Sequence, residues 1–424
     1  MPMLLGTKGK EILQWRSSAA LAQALKAKLA LKWEYSSAAQ AHAFLEGFLA
    51  ELQGELEYEE QLSAEIAELE RILATATAPG ELLLLKTRYL ELISAHFSRR
   101  KSVLALCGLC GQLHDQLLGK ALAFAAERML QLGQGGPPPY ALLVSGDRGR
   151  GEQTLSSKNR YFFLHEEPSP RFILFLRQVA AVLQELGLAG EEMLWHGSVS
   201  EWRSFAGDTF RQAGTGLPPG QLLAPVTPFA IPPRSAALEL PGWHGRLEAL
   251  ADLVELAGEA ALAEQALQDA GRVLKQECQR PPFLQLARRV IDLPIALGLF
   301  GRWRLQRTGE HQGEIDLEQF GLTPLVMTLR VLALHLGLPA AGTAERIRQL
   351  LERGALDVEL AGRVLKAFQC LMQQKILGEI RGEEGGAFCN PEGFSEAEEA
   401  SVKAAVEAVL SLQKIAYQRM VGQG

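Results

Sequence analysis

Apolar positions recur with helical spacing at both ends of the chain and switch to short continuous runs in the middle. Residues 8–32 carry a helical stripe. A second stripe runs from about 36 to 76, through positions 44, 45, 48, 49, 52, 56, 62, 66, 69, 72 and 73, with glutamates on the other face. Ser36 and Ser37 are placed to cap it, and Pro79-Gly80 ends it. Helices are expected at 81–99 and 102–132, the second closed by Gly133, Gly135 and Gly136, which makes this region a helical bundle. Pro137 to Pro139 then lead into the apolar run Tyr140–Val144, a turn with glycines at 146, 149 and 151, and a second run, Tyr161–Leu164. That pattern predicts strand, glycine loop, strand. An amphipathic helix follows at 171–186. From Trp243 the pattern is helical again, with stripes at 247–278 and 281–297, a helix from Thr343, and helices at 357–379 and 396–420. The glycine- and glutamate-rich stretch 382–394 reads as a loop.

The fold class expected is α+β and mostly helical. Four segments are expected: an N-terminal helical bundle (1–136), a small mixed-sheet domain (137–245), a helical domain (246–385), and a linker with a C-terminal helix (386–424). At 424 residues the chain has room for several cores, and 47% hydrophobic with 22% charged residues is ordinary for a globular protein. A net charge of -6 gives no support to nucleic-acid binding. Charges interrupt every apolar run before about 18 residues, so no membrane association is expected, and a cytoplasmic location is. The five cysteines do not form a disulfide framework. Cys107 and Cys110, with His114, lie in an apolar helical pattern and are read as buried helix residues. His165 and His311 are isolated and read as structural.

Glycines at 146, 149 and 151 let backbone approach a ligand, with amides facing phosphate oxygens. The detail Gly146-x-x-Gly149-Arg150-x-Glu152-x-x-Leu155, followed by a strand, resembles the nucleotidyltransferase fold of the DNA polymerase β superfamily. It is most similar to the putative nucleotidyltransferases of DUF294 type, related to protein-PII uridylyltransferase and glutamine-synthetase adenylyltransferase. A second resemblance is to the helical substrate-binding domain of the same family. It rests on Pro282-Phe283-Leu284, Leu297-Gly298-Leu299-Phe300-Gly301-Arg302, Gly313-Glu314-Ile315-Asp316-Leu317, Gly321-Leu322-x-Pro324-Leu325 and Arg330-Val331-Leu332-Ala333-Leu334. Together they cover about residues 70–380. The resemblance implies a polymerase-β-like domain between the two helical regions.

In that family the loop holds a nucleoside triphosphate, and two aspartates on the next strand, with a third on a later strand, hold magnesium. Here Asp147 stands at the loop serine, Lys158 and Arg160 stand at the two aspartates, and Ala230 aligns with the third. Reversing two charges opposes a cation about 4 Å away by ~4 kcal/mol per charge pair at an effective dielectric of 20. No catalytic residue, metal ligand or cofactor is therefore expected. The residues implied for nucleotide or phosphate binding are Gly146, Asp147, Gly149, Arg150, Glu152, Lys158 and Arg160. Asp316 and Arg330 are implied at the cleft between the domains, with an N-cap or an interhelical ion pair as the structural alternative. Gln312 and Glu318 stand where basic residues belong in the family.

The expectation is a pseudoenzyme in signal transduction that binds ATP, UTP or a regulatory partner protein. One alternative is an active transferase of UMP or AMP, using Mg2+ held by Asp147, Glu152, Glu166 or Glu167. Another is a helical scaffold that takes no ligand, and a homodimer is compatible with the 36–76 stripe.

Overall fold

The structure, a computed structural model, describes residues 38–157, 159–166, 169–188, 194–211, 243–298, 301–382 and 386–420. The helix expected at 8–32, the caps Ser36 and Ser37, Lys158, Glu167 and Ala230 lie outside them. Residues 1–76 and 77–424 are separate compact units. In the first, the described element is a single long helix, α1 (Ala38–Thr75).

The second unit begins with α2 (Pro79–Arg100) and α3 (Val103–Gln131). Ser102 caps α3 by accepting from the Ala105 amide, which sets its start. β1 (Tyr140–Gly146) then leads into a one-turn helix, α4 (Asp147–Arg150), and β2 (Asn159–His165). Next come α5 (Pro170–Glu185), β3 (Leu194–Ser198), α6 (Val199–Arg211), α7 (Trp243–Ala251), β4 (Val254–Gly258) and α8 (Ala260–Glu277).

The sheet order is β3-β2-β1-β4. β1 is antiparallel to both neighbours, Tyr140 facing His165 and Gly146 facing Asn159, while β2 and β3 are parallel. A mixed sheet results, as expected. Each face is covered by helices because alternate residues are apolar on both sides. Tyr140 meets Phe163 of β2 and Phe172 and Phe175 of α5 on one face. Phe162 meets Trp195, Trp202 and Phe205 on the other, where the Trp202 indole donates to the Ala266 carbonyl.

β4 corrects one expectation. The segment 247–278 is not continuously helical, since residues 254–258 extend along β1. Gly258 has φ 98 and approaches so closely that a Cβ would lie 2.1 Å from the Tyr140 carbonyl oxygen. Only glycine meets both demands. Asp252 sits just before this strand.

The rest of the chain is a helical bundle: α9 (Pro281–Ile291), α10 (Thr323–His335), α11 (Thr343–Glu352), α12 (Val358–Ile380) and α13 (Glu396–Met420). A π-helical turn, Glu318–Leu322, leads into α10, whose residues 324–334 are all buried. A second correction concerns 382–394, which is not wholly loop: β6 (Phe388–Cys389) pairs with β5 (Ile315–Asp316). α13 is no appendage, since Val402, Val406, Val409, Leu412 and Ala416 are buried and Gln413 donates to the Leu293 carbonyl. Among the described residues no helix is long and apolar enough to cross a membrane.

Candidate functional site

The β1–β2 connection is shaped by two glycines. Gly146 has φ 95 and lets the chain turn out of β1 into α4. A Cβ on Gly149 would lie 1.8 Å from the Asp252 carbonyl oxygen, so the turn rests directly on the backbone before β4. The loop is then tied from within. The Arg148 amide donates to Asn159 Oδ1 (2.9 Å), Asn159 Nδ2 donates to Gln153 (2.8 Å), and the Ser157 hydroxyl donates to Asp147 Oδ2 (2.6 Å).

Arg150 is the hub. It pairs with Asp147, and reaches Glu152 at 2.7 Å, Asp252 at 2.9 Å and Glu248 at 3.2 Å. Its side chain is 8% exposed, and its Nε and both Nη atoms face carboxylates. Arg330 of α10 pairs with the same Asp252 and reaches Glu248 at 3.3 Å, while Arg346 of α11 donates to Asp252 at 2.7 Å. Asp252, fully buried, thus accepts from three guanidinium groups carried by the sheet domain and the helical bundle. Burial by itself pushes its carboxyl upward. Arg330, Arg346 and Arg150 outweigh that and hold it well below the usual carboxylate range.

A second contact set closes over the loop. Thr343 at the start of α11 donates its amide to Glu152 Oε1 (2.8 Å). Glu379 of α12 accepts from the Thr154 hydroxyl at 2.8 Å and the Leu155 amide at 3.1 Å. Lys375 places its ammonium 3.9 Å from Asp147 and 3.7 Å from Glu318. Burial lowers the affinity of Lys375 for its proton, but Asp147, Glu318 and Glu379 overcome this and raise its pKa. For Asp147 burial acts upward, and Lys375 and Arg150 bring it below the ordinary value. Glu379 is raised, chiefly by burial.

The sequence-predicted residues therefore divide. Asp147, Arg150, Glu152 and Arg330 come together, and Gly146 and Gly149 shape the turn between them. Asp316 is placed differently: its Oδ1 accepts from the Gln319 amide at 2.7 Å and so caps the π-helical turn. Arg160 is exposed and lies opposite Ser145. Glu166 is exposed at the far end of β2. Cys107 and Cys110 are buried thiols, and burial pushes Cys107 up to about 12. His165 packs on Phe172, and His311 stacks on Phe388.

The residues that complete the cluster, Glu248, Asp252, Arg346, Lys375 and Glu379, are not in the loop motif. Their signal in the sequence is faint: charged side chains inside otherwise apolar helical stripes.

The carboxylates do not fit a magnesium ion. Both oxygens of Asp147 and of Asp252 already accept from cationic or hydroxyl donors. A cation joining them would sit beside guanidinium groups, at a cost of ~4 kcal/mol per unit charge pair about 4 Å apart. Among the described residues, no group of three or more His, Cys, Asp or Glu is arranged to hold a metal.

A four-stranded mixed sheet with a glycine loop between its first two strands, covered by a helical bundle that docks on that loop, defines a nucleotidyltransferase-like protein. Residues 87–215 match the family described as putative nucleotidyltransferase DUF294, and residues 280–420 match the putative nucleotidyltransferase substrate binding domain DUF294_C. The chain belongs to this family. The second match extends the resemblance through α13, past residue 380. A comparison with curated proteins found no match.

Proposed function

We propose that the chain is a regulatory member of this family, related to protein-PII uridylyltransferase, that has lost metal-dependent nucleotidyl transfer. Its retained output is binding, of a nucleotide or of a partner protein, in signal transduction. The observation that supports this reading is the saturation of Asp147 and Asp252 by Arg150, Arg330 and Arg346. An active transferase would need Asp147 as a replacement metal ligand, and in a two-metal site that carboxylate must be open to cations. Here Asp147 and Asp252 instead tie the glycine loop to the helical bundle. A cytoplasmic setting is part of the proposal, supported by five cysteines that are all free thiols.

Titration calorimetry tests it, with ATP and UTP, each with and without magnesium, into the wild type and a Lys158→Ala/Arg160→Ala variant. Metal-independent binding that is lost in the variant is the expected result. Incorporation of labelled nucleotide that requires magnesium overturns the reading.

A further inference from the structure

The surface arginines divide by what they face. Arg203, Arg272, Arg280 and Arg348 are exposed, and each meets a carboxylate. Arg288, Arg289, Arg302, Arg304 and Arg307 are exposed too, but among the described residues none of these five lies in an ion pair. Residues 281–309 hold all five together with a single acid, Asp292, in a chain whose net charge is -6. We propose that this surface docks an acidic segment of a partner protein.

The backbone holds the arginines in place. Arg288 and Arg289 lie in the last turn of α9. Beyond it, the Arg304 amide donates to the Ala296 carbonyl and the Gly298 amide to the Arg302 carbonyl, each at 2.8 Å, while Leu297 bridges Trp303. A second turn follows, in which the Gln306 amide donates to the Glu314 carbonyl (2.8 Å) and the Gly313 amide to the Gln306 carbonyl (3.0 Å). The Arg304 guanidinium lies 5.3 Å from the centroid of the Phe320 ring. Arg302, Arg304 and Arg307 thus stand on a hydrogen-bonded hairpin, which lowers the ordering cost of binding. The end of α9 favours cations at 288 and 289 through its dipole. No helix end does so for Arg302 and Arg307. From Arg289 to Ala296 the chain can span at most about 25 Å, a distance that an extended segment of about seven residues also covers.

Charge and exposure choose the occupant. Guanidinium groups bind carboxylates through two parallel hydrogen bonds, and a basic surface steers an acidic partner onto it. A long nucleic acid would run off these residues onto a chain that is acidic overall. Its bases would find no free ring in the hairpin, since Trp303 is half-buried, donates to Glu399 at 3.1 Å and is covered by Lys403. Membrane insertion takes several apolar side chains, whereas the one exposed large hydrophobic among the described residues of 281–309 is Leu305. A short acidic segment needs only the arginines, with Leu305 as an apolar contact between Arg304 and Arg307.

These residues lie outside the Arg150 cluster, and the inference holds whether or not the glycine loop binds a nucleotide. Its test is fluorescence anisotropy of a labelled peptide of about eight glutamates and leucines, titrated with the full chain. Micromolar binding at low salt is expected, at least tenfold weaker in 0.5 M NaCl because exposed charges are screened. Arg302→Glu/Arg307→Glu should weaken it at least tenfold with thermal unfolding unchanged, and Arg288→Glu/Arg289→Glu should weaken it independently. Arg353→Glu/Lys366→Glu makes the same change in net charge at exposed positions outside 281–309 and should alter binding less than twofold. No binding at 0.1 mM chain, an equal loss in the Arg353/Lys366 pair, or tighter binding to duplex DNA or to phosphatidylserine vesicles overturns the proposal. Titration of ATP and UTP should be unaffected by Arg302→Glu/Arg307→Glu, so failure here leaves the reading of the loop untouched.

Discussion

Arg150 Nη1 lies 2.9 Å from Asp252 Oδ2, although the two residues are 102 positions apart. The first belongs to the glycine loop and the second precedes the strand that borders β1. Arg330 and Arg346 reach the same carboxylate from the helical bundle. One buried carboxylate thus joins the two family domains, and its removal would leave three arginines facing one another.

Asp252→Asn is expected to destabilise the chain by about 3–5 kcal/mol, because breaking a buried ion pair leaves its partners uncompensated. Urea unfolding of the wild type and the variant measures this. A difference under about 1 kcal/mol would mean that the arginines find other partners.

Gly149→Ala tests the close approach of the loop to the backbone. With a Cβ 1.8 Å from the Asp252 carbonyl oxygen, the turn must shift, and overpacking of this kind costs about 1–3 kcal/mol. Gly151→Ala serves as the contrast, since nothing lies within 4 Å of its Cβ and the strain there is the φ of 71 alone. The first variant should be the less stable in thermal unfolding.

Stability should fall with acid in a way that depends on Asp252 and Asp147. Both carboxyls are held below their unfolded values, which are about 3.9. A depressed carboxyl contributes stability that is present above the unfolded pKa and lost as pH falls through the folded one. The wild type should therefore lose stability below about pH 4. That acid-side slope should be shallower in Asp252→Asn, and an identical slope in both would contradict the assignment.

Lys375 gives the opposite sign. Its pKa is raised, so its contribution is full below the unfolded lysine value of about 10.4 and is lost as pH rises through the folded one. Lys375→Met should lower stability at pH 7, and its difference from the wild type should narrow only in strong alkali. Denaturant unfolding at pH 7 and pH 11 reads this out.

The strand-loop-strand unit was legible because Tyr140–Val144 and Tyr161–Leu164 are apolar runs flanking three glycines, a pattern with few other structural readings. Its family assignment followed from Gly146, Gly149, Arg150 and Glu152 at their spacing. Asp252 was not legible. Leu250, Leu253 and Leu256 continue the helical stripe of α7 past the point where the chain extends, and only Gly258 hints at a strand. The bond from Arg330 to Asp252 depends on tertiary packing, so no local pattern could distinguish it from a surface ion pair. Asp316 looked like a cleft residue by resemblance, but the backbone it caps decides its role. Lys375 stood inside an apolar stripe, where a charge is a signal only once its partners, Asp147 and Glu318, are known.

Titration of Mn2+ into the chain, followed by the loss of the free-ion paramagnetic resonance signal, tests the central claim most directly. With Asp147 and Asp252 held by arginines, no stoichiometric site should fill below millimolar metal. One or two tightly bound ions per chain that disappear in Asp147→Asn would contradict the account and restore a metal-dependent transferase.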